Sequence, residues 1–384
     1  MPYDMLIRNC RLYTAADAGD NTDIAVCDGV IADIGEGFDV GSAVVIDAGG
    51  RMVIPGLIDI HIQGAGGADV LDGSPEALKT MSAALARLGT TGFLATTVMS
   101  PKQKDAHLAV ASARVGADLG GASLIGIHLE GPFINPDERR AISPDAVYAP
   151  STPALDHIFE MTGGSLSMMT VAPELDGARD IVAALVSNGV IASFGHSHAT
   201  YEQTLSGFMA GITHVTHMFN AMPSLHHHNP GPIPAILETP NVTIQLVSDG
   251  VHVHEAVVRT LHRAAGAGRI ACITDGAQAM GLPDGRYVYN GREYESRDGT
   301  ARYLDGTLIG SALGLKDVML RYAAFTGCSF AEAVESVTAV PAYVLGIDNR
   351  KGSIETGKDA DMVILDDDFS VFATIVEGKA RYIR

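Results

Sequence analysis

Several patterns are missing from this chain of 384 residues, and each absence removes a class of protein. Cysteine is scarce: Cys10, Cys27, Cys272 and Cys328 stand far apart and form no C-x-x-C pair. That excludes a zinc knuckle or disulfide framework and leaves buried thiols as the expectation. Basic charge is in deficit, with 26 Lys and Arg against 45 Asp and Glu and a net charge of −19, so no nucleic-acid partner is expected. No run reaches the ~18 consecutive apolar residues of a membrane helix, and Met1 to Tyr13 lacks the apolar stretch of a signal peptide. A cytoplasmic protein without a membrane partner is the expectation. Core material is plentiful: 47% of residues are hydrophobic and only 18% charged, which describes a globular chain.

From residue 53 to about 275, short runs rich in Val, Ile and Thr alternate with longer stretches of helical periodicity, the signature of βα units. Strands are expected over Val53–His61, Gly92–Val98, Ser123–Glu130, Ser167–Ala172, Val190–His196, Ile212–His217, Thr243–Asp249 and Ile270–Asp275. Helices lie between them. Pro75–Leu88 opens on Ser74-Pro75-Glu76 as cap, first-turn proline and first-turn acid, and Leu175–Asn188 stops at Gly189. The fold class expected is α/β, a (β/α)8 TIM-type barrel over residues 53–345. Residues 1–52 and 346–384 read instead as short strands and turns, as in Ala25–Ile34 around Asp28-Gly29 and in Ala360–Leu365. These ends are expected to pair into one small β-sandwich domain. Residues 284–307, punctuated by Asp284-Gly285, Asn290-Gly291, Asp298-Gly299 and Asp305-Gly306, suggest an insertion of one or two hairpins, as a lid or as a sheet extension.

Barrel enzymes place their chemistry at the C-terminal ends of the strands. Here those ends carry His61 and Gln63, Glu130, Glu174, His196 and His198, His214 and His217, Asp249 followed by His252, and Asp275; only the second strand ends blandly, in Thr96-Thr97. In His128-Leu129-Glu130-Gly131-Pro132 the Gly-Pro pair turns the chain at once and leaves the Glu130 carboxylate at the rim. His196 and His217 stand at equivalent depth on two other strands. One Glu with two His is a common catalytic metal set, three protein ligands leaving a position open for water. One divalent ion is expected, zinc first, with Fe, Mn, Co and Ni as alternatives.

Pro55-Gly56-Leu57-Ile58-Asp59, His128-Leu129-Glu130-Gly131-Pro132, Gly195-His196-Ser197, Thr216-His217-Met218-Phe219-Asn220-Ala221-Met222, Asp249-Gly250-Val251-His252, Thr274-Asp275 and Gly357-Lys358-Asp359-Ala360-Asp361 span almost the whole chain. Together they resemble the N-acetylglucosamine-6-phosphate deacetylase family of the amidohydrolase superfamily. The resemblance implies Glu130, His196 and His217 as metal ligands and Asp275 as catalytic acid/base. It also implies Asn220, the Ala221 backbone and His252 as contacts to a small N-acetyl amino sugar or its phosphate, and a homodimer. The residues suit that chemistry: a metal lowers the pKa of water towards ~7 and polarises an amide carbonyl, and one nearby carboxylate moves the proton. No Gly-x-Ser-x-Gly elbow competes.

Three positions depart from the family pattern. His61-Ile62-Gln63 replaces the H-x-H that binds a second metal in many amidohydrolases, so His61 and Gln63 read as the remnant of such a site. Ile142 stands where the family has a sugar-contacting His. His228, within His226-His227-His228, stands where the family has a phosphate-binding Arg, and imidazole offers one charge-assisted hydrogen bond where guanidinium offers two. A different N-acetyl hexosamine, another epimer or one without phosphate, is therefore the alternative substrate. A dihydroorotase-like or deaminase reading wants the His-x-His pair, and the former a Lys after strand four, where Ala172-Pro173-Glu174 stands. A catalytically silent binding barrel would want the ligands or Asp275 lost, and all are present.

Overall fold

The computed structural model describes residues 3–13, 21–41, 43–289 and 291–384. An eight-stranded parallel sheet runs in chain order through Leu57–Ile62, Thr90–Thr97, Ser123–Glu130, Leu166–Val171, Ile191–Phe194, His214–Val215, Thr243–Leu246 and Ile270–Cys272. The segment beyond the last strand returns to the first. Asp275 N–H donates to the His61 carbonyl at 3.0 Å and Gln63 N–H to the Gly276 carbonyl at 3.0 Å, closing the (β/α)8 barrel. Helices such as Pro75–Arg87, Thr152–Thr162 and Glu255–Ala265 cover its outside, their apolar faces packed on strand residues such as Phe93, Leu129 and Phe194. The Ser74 side chain accepts the Ala77 N–H at 3.1 Å, as its position before Pro75 predicts. The helix expected from Leu175 begins only at Ala178, because Gly177 takes φ +85 and Leu175–Gly177 forms a turn.

The run Val53–His61, expected as one strand, is two. Met52–Pro55 belongs to the terminal domain, and Leu57–Ile62 to the barrel. They part at Gly56, whose N–H donates to the Asp361 carbonyl at 2.9 Å, and where a Cβ would stand 2.1 Å from the Thr91 hydroxyl. In the terminal domain, Met5–Leu12 is shared between two sets of strands. Its first half pairs with Val44–Asp47 and with Thr22–Cys27, and its end pairs with Met52–Pro55. Met52–Pro55 then pairs antiparallel with Met362–Leu365, which continues into Val371–Val376 and Lys379–Ile383. Ile7, Ile24, Ile46, Val53, Met362 and Ile375 fill the core between them.

The insertion is a four-stranded antiparallel meander, Gly285–Tyr289, Arg292–Arg297, Thr300–Tyr303 and Leu308–Ser311, larger than the hairpins expected; Asn290 lies outside the described residues. It extends the barrel wall: Ser311 N–H donates to the Asp275 carbonyl and Ala277 N–H to the Ser311 carbonyl, both at 2.9 Å. Of the four thiols expected to be buried, Cys10 and Cys272 are, whereas Cys27 and Cys328 are half-buried. No helix among the described residues is long and apolar enough to cross a membrane.

Candidate metal and catalytic centre

The strand ends deliver their polar side chains through an uncommon backbone. His196, His217 and Asp275 have φ of +47, +26 and +48, and Ala221 has +50. Left-handed conformations cost a non-glycine residue on the order of 1–3 kcal/mol, so the surrounding bonds must hold them. They turn three strand ends inward over the barrel mouth.

Glu130, His196 and His217 are all buried, and their ligand atoms lie within 4.8 Å of one another. The Glu130 Oε1 stands 3.1 Å from His196 Nε2 and 2.9 Å from His217 Nε2, and the two nitrogens are 3.0 Å apart. His196 Nδ1 lies 2.7 Å from the Glu138 carbonyl, which can only accept, so that nitrogen carries a hydrogen and Nε2 is the atom turned to the cluster. Burial holds His217 below the usual imidazole pKa, favouring its neutral form. Burial opposes charge on Glu130 too, yet His61, His196 and His217 outweigh it and keep the carboxyl well below its ordinary range. Three acceptor atoms around one point are the donor set of a cation, since bonds of about 2.0–2.1 Å at tetrahedral angles put ligand atoms ~3.3 Å apart. The residues fit a divalent ion.

Asp275 stands beside this set. Its Oδ2 is 3.4 Å from His252 Nε2, and His252 Nδ1 is 2.6 Å from Asp249 Oδ2, so Asp249 fixes the ring that faces Asp275. Burial works against both charges, but the neighbouring acids push His252 up to about 9, and His252 with His61 holds Asp275 well below the ordinary carboxylate value. Gln63 and His61 are brought to the same place. The Gln63 amide donates to Asp275 Oδ1 at 2.9 Å, and His61 Nε2 lies 3.3 Å from that oxygen and 3.6 Å from Glu130 Oε1.

Asn220 is half-buried, its amide donating to the His217 and Met218 carbonyls at 3.3 and 3.2 Å, and the Ala221 carbonyl accepts the Ser197 N–H at 3.1 Å. His228 is not brought to this constellation: it is exposed and leans against His227 with ring centres 4.0 Å apart. Ile142 lines a cavity of about 400 Å³ that reaches Glu130 and Gln63 and is walled by Asp69, Tyr289 and Arg292. His214, one of the strand-end imidazoles, lies in the interior with Nδ1 2.6 Å from the Thr243 hydroxyl, and burial drives it down to about 3, a neutral packing histidine. His198 turns outward to Glu138 Oε1 at 3.2 Å.

Two supports escaped the sequence. Gln245 accepts from His61 Nδ1 at 2.9 Å and from the His217 N–H at 3.3 Å, and its only signal is one amide in the apolar run Thr243–Leu246. The Glu138 carbonyl that orients His196 has no side-chain signal at all.

The sequence matches the amidohydrolase family over residues 52–381. It is 34% identical to N-acetylglucosamine-6-phosphate deacetylase from Bacillus subtilis (strain 168), across 100% of this chain and 98% of that protein. It is also 34% identical to N-acetylgalactosamine-6-phosphate deacetylase from Escherichia coli O157:H7, across 97% and 98%. Among solved structures, a variant of N-acetyl-D-glucosamine-6-phosphate deacetylase from Mycobacterium smegmatis in complex with N-acetyl-D-glucosamine-6-phosphate superposes with a TM-score of 0.89 at 29% identity, covering 99% of both chains. With this match and with the Glu130, His196, His217 and Asp275 side chains gathered at its barrel mouth, the chain belongs to the amidohydrolase family.

Proposed function

We propose that the protein hydrolyses the acetamide of an N-acetyl amino sugar, N-acetylglucosamine 6-phosphate first, to the free amine and acetate. The observation that carries the reading is the convergence of Glu130, His196 and His217 beside Asp275, in a chain that aligns over its full length with sugar-phosphate deacetylases. Those three side chains would hold one ion, zinc. When bound, it supplies Lewis-acid chemistry, polarising the amide carbonyl and acidifying a water. Asp275, kept ionised by His252 and His61, accepts the proton of the attacking water and delivers it to the departing amine, with no covalent nucleophile. His252, tied to Asp249, orients Asp275 and is placed to meet the substrate. Asn220 and the Ala221 backbone are assigned to the sugar side.

Ile142 and the exposed His228 favour a second reading, in which phosphate is recognised weakly and another N-acetyl hexosamine is preferred. Metal analysis followed by a free-amine assay on N-acetylglucosamine, N-acetylgalactosamine and their 6-phosphates tests both. Wild type is expected to carry one zinc per chain and release amine, and Glu130→Gln to lose both. A Glu130→Gln protein with full metal and full turnover overturns the site. Strong phosphate preference in wild type, unchanged by His228→Arg, removes the second reading.

A further inference from the structure

Glu174 follows the fourth barrel strand, and neither the Glu130–His196–His217 cluster nor the Asp275–His252 chain includes it. Its carboxylate is nevertheless fully engaged. Oε2 accepts the Ser197 hydroxyl at 2.6 Å, and Oε1 accepts the His198 N–H at 2.6 Å and the Asn135 amide at 3.0 Å. All three donors belong to segments that hold His196. Ser197 and His198 follow it directly, through the turn in which His196 takes φ +47. Asn135 donates its own N–H to the His196 carbonyl at 2.9 Å, and its side chain caps the short turn Pro136–Glu138, whose last carbonyl accepts the His196 Nδ1–H. The same turn continues to the sugar side, because Ser197 N–H donates to the carbonyl of Ala221.

We infer that Glu174 is a positioning residue: it clamps the left-handed His196 turn to the loop after strand three, and thereby sets both the ion affinity of the Glu130–His196–His217 site and the placement of the Ala221 backbone. The inference rests on the metal reading above. Both carboxylate oxygens accept here, whereas an amide in their place has one accepting oxygen and keeps the Ser197 contact only with its direction reversed. With Glu174 removed, the Ser197 hydroxyl, the His198 N–H and the Asn135 amide lose their acceptor, and fewer bonds offset the cost of the left-handed turn. The His196 ring then samples positions away from Glu130.

The test is zinc titration of the metal-free protein against a chromophoric chelator, for wild type, Glu174→Gln, Glu174→Ala and Ser197→Ala, with the unfolding midpoint of each metal-free form. Losing a residue that orients a metal ligand typically weakens metal affinity about 10–100-fold, so Glu174→Gln and Ser197→Ala are expected near the lower figure and Glu174→Ala near the upper. Glu174→Ala/Ser197→Ala should be no weaker than Glu174→Ala alone, since the Ser197 bond is already lost in the single variant. At saturating zinc, kcat should recover while KM for the N-acetyl sugar stays raised, reporting the displaced Ala221. A lowered midpoint with unchanged zinc affinity would mean a structural role and overturn the inference, as would additive effects of the two substitutions. Should Glu174→Ala fail to fold, the two milder variants decide. Wild-type protein that binds no zinc overturns the metal reading and this inference together; wild-type affinity in both milder variants overturns the inference alone.

Discussion

In the terminal domain Lys351 is 3% exposed at its side chain, with Nζ 2.6 Å from Asp361, 2.9 Å from Asp359 and 3.6 Å from Glu377. At the barrel mouth Glu130 and Asp275 are comparably sheltered, but what surrounds them is imidazole, from His61, His196, His217 and His252, and the Gln63 amide. Among the described residues no Lys or Arg pairs with either. An ammonium tethered to the chain gives a finished cluster. Imidazoles whose far nitrogens are tied back, as His196 is to Glu138 and His252 to Asp249, present their near nitrogens to the acids. The counter-charge there must be a proton or a multivalent cation, both exchangeable with solvent. The first arrangement fastens segments of the C-terminal part of the chain to one another, and the second is suited to chemistry.

The contrast makes predictions that differ in kind at the two places. Asp275→Asn has the largest expected effect on turnover: kcat falls about 10²–10⁴-fold while the protein stays folded and the metal stays bound. Metal analysis, steady-state kinetics and thermal unfolding check it, and a variant that loses stability but keeps its rate would erase the contrast. Lys351→Met should do the opposite. It leaves Asp361 buried and uncompensated, at a cost of about 3–5 kcal/mol in urea unfolding, with kcat near wild type in the cold. Asp361 already has a raised pKa, burial outweighing Lys351. A raised carboxyl loses stability as pH rises through its folded value, so the Met variant's deficit should be greatest near neutrality and shrink as acid protonates Asp361. A deficit that grows on acidification would show that Asp361 is not the group left uncompensated. The smallest effect is expected from Gln63→His, which replaces an amide on Asp275 by a better ligand. The metal content should rise from one towards two per chain, with kcat/KM altered less than ~10-fold; metal analysis decides, and unchanged stoichiometry would mean that His61 and Gln63 are not the remnant of a site.

Which parts could be read from the sequence follows from the same physics. Glu130, His196, His217 and Asp275 were legible because each is a polar residue ending an apolar strand, a position where a charge has no packing purpose. Gly56 carries no sequence sign of a boundary, since Val53 to His61 is continuous in hydrophobicity and it is the Thr91 side chain, contributed from another strand, that requires a glycine there. His214, two residues after Ile212 and three before His217, is another imidazole at a strand end, but it points to Thr243 and not to the cluster. Glu174 was visible as an acid at a strand end, but its partners are a hydroxyl, an amide and a backbone N–H, and no spacing rule foretells those.

The pairing of Met52–Pro55 with Met362–Leu365 also bears on how the molecule is made. A chain growing on the ribosome presents Val53 and Ile54 long before Ile364 and Val363 exist, while every barrel strand is already available by Cys272. Contacts so distant in sequence form slowly, so the barrel is expected to close first and the terminal domain to finish only on release of the last strands. Until then the edge of Met52–Pro55 is an unpaired template for other chains. Yield during expression should therefore fall sharply when the chain is cut ahead of Met362, even though such a fragment retains every residue of the barrel mouth.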